Sequence, residues 1–424
     1  MKIHLKNGRA IDPATGADRV QDVFVAAGKI AAIGAAPNAF AANRVIDAKG
    51  LIVCPGLVDL SARLREPGNA YAANLESEMD AAMAGGVTSL ACPPDTSPPL
   101  DEPGLVEMLK HRARSRNGAH LYPIGALTVG LNGARLTEMA ELASAGCIAF
   151  SQANAPIADS QVLLRAMQYA ATFDFALWLR PLDGSLARGG VAHDGQVATR
   201  LGLPGIPACA ETVALATILL LARETGVRLH LCCLSGAEAV DMVRQAKSQG
   251  LQVTCDVAAH HLHLTDMDIG FFDSTCRLLP PLRSARDRDA LRDGLKDGTI
   301  DLICSDHTPV DEDDKQVPFG EAEPGASGLE LLLPLALRWG RETDSSLARA
   351  LAKITSEPAR VMRIEAGSLA LGGAADLCVF DPDQRWQVEP GALKSEGKNT
   401  PFSGTELVGK VRYTLVDGHV TFEV

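Results

Sequence analysis

Gly56-Leu57-Val58-Asp59-Leu60-Ser61-Ala62-Arg63 is a nearly unbroken apolar run that ends on two polar side chains two residues apart. In an extended strand alternate residues project to the same face, so Ser61 and Arg63 share one face at the end of this segment. Seven further runs of the same kind follow: Thr88 to Cys92, Ala119 to Ala126, Cys147 to Ser151, Ala176 to Arg180, Arg228 to Leu234, Gln252 to Ala258, and Asp301 to Ser305. The stretches between them, such as Glu211 to Thr225 and Ala237 to Gln249, space their apolar residues as helices do. Strand-like runs alternating with helical ones give a parallel sheet, and eight of them predict a (β/α)8 TIM barrel. In that fold chemistry sits at the C-terminal strand ends, which makes Ser61 and Arg63 residues of interest.

The two ends of the chain have a different texture. Lys2 to Leu5, Val23 to Ala26 and Ile30 to Ile33 read as short strands separated by turns at Asn7-Gly8 and Gly28, and Ala375 to Pro382, Val411 to Val416 and Val420 to Val424 resume the pattern. The expected division is a small β domain from residues 1–53 and 366–424, and a barrel from residues 54–365.

Composition narrows the function classes. At 424 residues with 46% hydrophobic side chains, the chain can bury a large core. Lys+Arg 40 against Asp+Glu 52 gives a net charge of -12, with no basic run and only 4% aromatics, so neither a nucleic-acid surface nor a polybasic membrane anchor is expected. The start has no apolar core of signal-peptide length, and the apolar stretch from Val213 to Ala222 is too short to span a bilayer. Ten cysteines without a C-x-x-C pair suit reduced thiols, and the expected location is cytoplasmic. Cys232 and Cys233 are expected to pack on opposite sides of their strand.

Five features in order, Leu64-Arg65-Glu66-Pro67-Gly68, Pro324 to Glu330, Ala374-Ala375-Asp376-Leu377, Gly397 to Phe402, and the barrel framed by a split β domain, resemble the dihydroorotases of the amidohydrolase superfamily nearly end to end. The Arg-Glu-Pro-Gly and Gly-Lys-Asn-Thr-Pro-Phe runs favour that group over the noncatalytic dihydropyrimidinase-like proteins. The resemblance implies one or two zinc ions held by histidines and aspartates at strands one, four, five, six and eight. This chain departs from that pattern: Ser61 and Arg63 stand where a His-x-His pair is expected, Gln152 where a bridging carboxylate is, and Arg180 and Cys233 where histidines are. Arginine stays protonated and offers no lone pair, so Arg63 and Arg180 oppose a cation. Only Asp306, in Ser305-Asp306-His307, keeps its ligand type, as a vestigial acid/base without a metal to serve.

The substrate side of the resemblance is altered as well. Arg65 is retained, read either as a loop anchor or as a relic of substrate binding. Asp95 replaces an asparagine and is expected to repel an anionic substrate, while Leu279 and Val310 replace an asparagine and a histidine. Zinc is therefore expected to be absent, with Arg63 and Arg180 lying against Asp306 and supplying the missing positive charge. His260, His261, His263 and His307 are the residues from which a new metal site would be built, although a His-His pair after strand seven is commonplace in the family. Asp311-Glu312-Asp313-Asp314 reads as a solvated loop. The resemblance is closest to inactive dihydroorotase-like chains that assemble with the catalytic chain of aspartate carbamoyltransferase, which implies that partner, with self-association besides. The opposing reading is an active cyclic-amide hydrolase with a rebuilt or single-metal site.

Overall fold

A computed structural model describes residues 1–114 and 118–424. Eight parallel strands follow one another around a barrel: β1 (Leu57–Asp59), β2 (Val87–Cys92), β3 (His120–Ala126), β4 (Ala149–Ser151), β5 (Ala176–Leu179), β6 (Arg228–Leu231), β7 (Val253–Ala258) and β8 (Leu302–Cys304). The sheet order is the chain order, as right-handed βα units require. The expected eight runs correspond to these eight strands: seven are trimmed by one to four residues at an end, and the second begins one residue earlier than expected, at Val87. The helices Leu75–Ala84, Pro103–Arg114, Met139–Ala145, Ser160–Thr172, Cys209–Thr225, Ala237–Ser248 and Ala285–Asp297 lie between successive strands, and Leu332–Glu342 follows the eighth.

The barrel closes just beyond the formal ends of β1 and β8. The Arg63 N–H donates to the His307 carbonyl at 2.9 Å, and the His307 N–H donates to the Ser61 carbonyl at 3.0 Å. The backbone of Ser61 and Arg63 is therefore the seam itself, which fixes their side chains at the barrel mouth. Below the mouth the interior is filled by Val58, Ala91, Ile124, Ala149, Trp178 and Leu302, all buried, so the barrel is a packed core rather than a pore.

Both chain ends meet in a six-stranded sheet ordered His419–Glu423, Glu406–Val416, Leu377–Gln387, Ile52–Pro55, Arg9–Asp12, Ala17–Val20. A second sheet runs Lys29–Ile33, Val23–Ala26, Lys2–Lys6, Arg44–Asp47. Their shared core contains Ile3, Val25, Val53, Val379 and Leu415. The strand Ile52–Pro55 belongs to this sheet and spans the 53/54 division drawn from the sequence.

The motif loops turn out to be internal fasteners. Gly68 has φ +98°, and a Cβ there would stand 2.0 Å from the Ser97 carbonyl oxygen, which explains glycine at the end of Leu64-Arg65-Glu66-Pro67-Gly68. Buried Asn399 donates to the carbonyls of Thr308 and Gly325 and accepts from the Val310 N–H and the Ser327 hydroxyl. It thereby ties the Gly397 to Phe402 run to the loops after β8. No helix among the described residues is long and apolar enough to cross a membrane.

Candidate functional site

Three strand ends deliver charge to one point. Arg63 from the β1 seam places Nη1 3.2 Å from Asp306 Oδ1, and Arg180, immediately after β5, places Nη2 3.2 Å from both Asp306 oxygens. Ser61 donates its hydroxyl to Asp306 Oδ1 at 3.1 Å. Arg63 Nε reaches Asp95 Oδ2 at 2.8 Å, and Arg180 Nη1 reaches Asn154 Oδ1 and the Leu279 carbonyl, each at 2.6 Å. Two guanidiniums thus face two carboxylates in a buried cluster whose formal charges cancel. The side chains of Arg63, Arg180 and Asp306 are only 6–7% exposed, a setting where charges persist only when paired.

The ionisation states follow from this geometry. Burial alone would raise the Asp306 carboxyl, but the positive charges of Arg180 and Arg63 outweigh it and hold the group well below the usual carboxylate range. Burial pulls the Arg63 guanidinium down, and the negative charges of Asp95 and Asp306 beside it more than restore it. His260 also borders Asp306, but burial pushes its imidazole down to about 4. It is therefore neutral at pH 7.

The sequence-level site residues separate into two groups. Ser61, Arg63, Arg180 and Asp306 converge, and the expected pairing of both arginines with Asp306 is present. Gln152 turns away to Thr128, whose hydroxyl lies 3.0 Å from its Oε1 and 2.9 Å from its Nε2. Cys233 corrects the strand reading: β6 stops at Leu231, and Cys233 sits in the left-handed region at φ +53°, its Sγ 3.9 Å from Cys304 Sγ. Its neighbour Cys232 faces the mouth cavity instead.

On the substrate side, the expectation that Asp95 repels an anion needs correcting, because its charge is committed to Arg63. Arg65 donates Nε to the Pro309 carbonyl at 2.6 Å and so anchors a loop through its backbone rather than through a carboxylate. The Val310 side chain is buried, with its N–H held by Asn399. Leu279 alone of these four lines the space left beside Asp306.

That space is small. The cavity between Ser61, Arg63, Trp178, Arg180 and Cys232 is about 30 Å³, and the one beside His260, Leu279 and Asp306 about 10 Å³, against roughly 300–1,000 Å³ for small-molecule pockets. A larger cavity of about 420 Å³ lies to one side, reached past Gln152 and Arg180 toward Asp183 and Arg188.

The four histidines of the suggested metal site do not gather. His261 Nε2 lies 3.3 Å from the Pro281 carbonyl and His263 Nε2 2.9 Å from the Leu335 carbonyl, while His307 Nε2 bonds fully buried Glu78 at 2.6 Å. Among the described residues, the groups that bring three donor atoms within 4.8 Å are His230/Cys232/Asp256, Cys233/Asp256/Cys304 and His120/Asp376/Asp417. Asp256 was missed in the sequence. It accepts from the Cys233 N–H at 2.7 Å and bonds His230 Nε2 at 2.8 Å, organising the layer under the mouth. An acid flanked by apolar residues in Cys255-Asp256-Val257 was the available signal.

Comparison with known proteins places this geometry in context. The chain matches a dihydro-orotase-like family model over residues 50–239 and an amidohydrolase family model over residues 181–422. It is 48% identical over 423 residues to a dihydroorotase-like protein of Pseudomonas aeruginosa, covering 100% of both chains, and 49% identical over 420 residues to one of Pseudomonas putida, covering 99% of both. It is 40% identical over 424 residues to a dihydroorotase of Syntrophotalea carbinolica, again covering 100% of both. Among solved structures, the L-hydantoinase (dihydropyrimidinase) from Arthrobacter aurescens superimposes with a TM-score of 0.89 at 26% identity, covering 99% of this chain and 96% of that one. With a match of that extent and a barrel of that form, the chain belongs to the dihydroorotase-like proteins of the amidohydrolase superfamily.

Proposed function

We propose that this chain is a catalytically inactive member of its family, a structural subunit of an aspartate carbamoyltransferase complex in pyrimidine biosynthesis. The observation that carries the proposal is the Arg63–Asp306–Arg180 cluster. The family's chemistry implies zinc, which would supply a Lewis acid and a water of depressed pKa. The residues present do not fit that ion: two guanidiniums occupy the carboxylate a metal would need, and they have no lone pair to donate. A divalent ion would have to displace two buried cations that already neutralise Asp306. The small mouth cavities support the same reading, since a cyclic amide has no room beside Asp306. No zinc-dependent step is assigned to this site.

What such a chain retains is shape. Asn399, Glu78 and Gly68 keep the loops around the mouth fastened, so the barrel can hold a partner without performing chemistry. The proposed partner is the catalytic chain of aspartate carbamoyltransferase, with self-association of the barrel chain as well, and the proposed location is the cytoplasm.

The competing reading, an active cyclic-amide hydrolase, is favoured by relatives at 38–41% identity over nearly full length that carry the name dihydroorotase. Metal analysis combined with an assay of carbamoyl-aspartate and dihydroorotate interconversion separates the two. The expected result is background turnover and no zinc at Asp306. Zinc and turnover that are both lost in Asp306→Asn would overturn it. Co-purification tests the partner: aspartate carbamoyltransferase that assembles and works without this chain defeats the structural role.

A further inference from the structure

At the opposite end of the barrel, far along β3 from the mouth, three donor groups converge from three segments. His120 opens β3, Asp376 immediately precedes the strand Leu377–Gln387, and Asp417 occupies the turn between Glu406–Val416 and His419–Glu423. His120 Nε2 lies 3.0 Å from Asp376 Oδ2 and 3.9 Å from Asp417 Oδ1. We propose that His120, Asp376 and Asp417 form a binding site for a borderline divalent transition ion such as Zn²⁺, fastening the terminal β-sheet to the floor of the barrel.

The geometry is that of an ion's ligand set with one arm slightly open. Donors held about 2.0–2.2 Å from zinc in a tetrahedron stand roughly 3.3–3.6 Å apart, and the two distances to the imidazole straddle that value. Asp376 is oriented for the task, because its Oδ1 accepts the Asp417 N–H at 2.8 Å and leaves Oδ2 toward His120. Asp417 supplies the adjustment, since its side chain is 63% exposed and free to swing inward. A cavity of about 270 Å³ borders both His120 and Asp417, giving water ligands a place to complete the coordination.

Charge points the same way. A protonated imidazole between two carboxylates leaves one negative charge over, whereas a divalent ion with a neutral imidazole balances both acids. Lys110 and Arg114 also line the cavity, and the Lys110 ammonium is tied to the Ala145 carbonyl at 2.8 Å. One imidazole with two carboxylates suits Zn²⁺, Co²⁺ or Ni²⁺ better than Mg²⁺ or Ca²⁺, which favour all-oxygen sets. The thiol-containing sets near the mouth are less suited, because the Arg180 guanidinium stands beside both Cys232 and Cys233.

The site is independent of whether Asp306 is catalytic. Full-length protein stripped of metal is titrated with Zn²⁺ by calorimetry, with Mg²⁺ alongside, and its thermal midpoint is followed. Wild type is compared with His120→Gln and with Asp417→Asn, the latter keeping a residue that tolerates the left-handed turn at φ +48°. The expected result is one equivalent of Zn²⁺ that raises the midpoint, is lost in both variants and is not reproduced by Mg²⁺. Co²⁺ should give a spectrum without a thiolate charge-transfer band. Absence of binding, binding unchanged in both variants, or a cobalt spectrum showing thiolate ligation for the sole bound ion would each overturn the assignment.

Discussion

Asp59 and Asp306 are buried carboxylates on the two sides of the barrel seam, and their surroundings drive them in opposite directions. Asp59 accepts from the N–H and hydroxyl of Ser305 and is not flanked by guanidiniums as Asp306 is. Burial therefore dominates and lifts its carboxyl to about 6. One residue beyond Ser305, Asp306 lies between two guanidiniums and is held far below the ordinary range. The layer under the mouth is built on hydrogen bonds, and the mouth on compensated charge. A site that admitted substrate would require the second region to be open, yet there Arg63 and Arg180 are drawn onto Asp95 and Asp306.

The largest effect should come from breaking that pairing. Asp306→Ala leaves Arg180 without a carboxylate and Arg63 with only Asp95, two cations sharing one acid in a buried setting. Removing one partner of a buried ion pair costs about 3–5 kcal/mol, so equilibrium urea unfolding should show a loss of that size. A loss below about 1 kcal/mol would mean that solvent reaches the arginines and that the mouth is open after all.

The next effect is read in the pH dependence, where the two aspartates should pull against each other. Asp306 has a depressed folded pKa, so its stabilisation is present above the unfolded value of about 3.9 and is lost as pH falls through the folded value. Asp59 has a raised pKa, so its contribution is greatest below about 3.9 and is lost as pH climbs from there through about 6. Two pKa units correspond to roughly 2–3 kcal/mol. Asp59→Asn should therefore flatten the fall in stability between about pH 4 and 7 while leaving the acid limb of the curve intact. An unchanged slope in that window would show that Asp59 stays ionised.

A smaller effect is expected from the loop fasteners. Asn399→Ala removes a side chain that serves the Thr308 and Gly325 carbonyls, the Val310 N–H and the Ser327 hydroxyl. Leaving buried groups of this kind unpaired costs about 1–3 kcal/mol. Hydrogen exchange should localise the loosening to the loops after β8, with the Arg63–Asp306–Arg180 cluster retained.

What the sequence made legible, and what it hid, divides along chain separation. Alternation of apolar runs located all eight strands, because periodicity is local. The meeting of Arg63, Arg180 and Asp306 was also readable, since strand ends of a closed barrel converge whatever their separation. Asp95 was misread: its pairing with Arg63 depends on side chains reaching across from β2 to the seam, and a carboxylate viewed alone looks repulsive. Gln152 turning to Thr128, and Cys233 in a left-handed turn past β6, depend on how individual loops leave the strands. Glu78 with His307 and Asn399 with Val310 join segments far apart in the chain, and no spacing rule announces them.

The smallest expected effect is on activity, and it tests the comparison most directly. Ser61→His with Arg63→His restores the His-x-His pair at the seam, on a backbone already fixed by hydrogen bonds to His307. If two missing histidines were the whole defect, zinc binding and turnover should appear. Arg180 would still lie 3.2 Å from both oxygens of Asp306, Gln152 would still face Thr128, and Cys233 would still point toward Cys304. Groups that act as a unit do not recover one at a time, so dihydroorotate hydrolysis by the double variant should remain at background. The variant should also be less stable than the parent, because Asp95 loses its guanidinium and Asp306 one of two. Measurable turnover accompanied by zinc beyond any equivalent held at His120 would show that Arg180 yields to a metal, and that the mouth is a suppressed active site rather than a dismantled one.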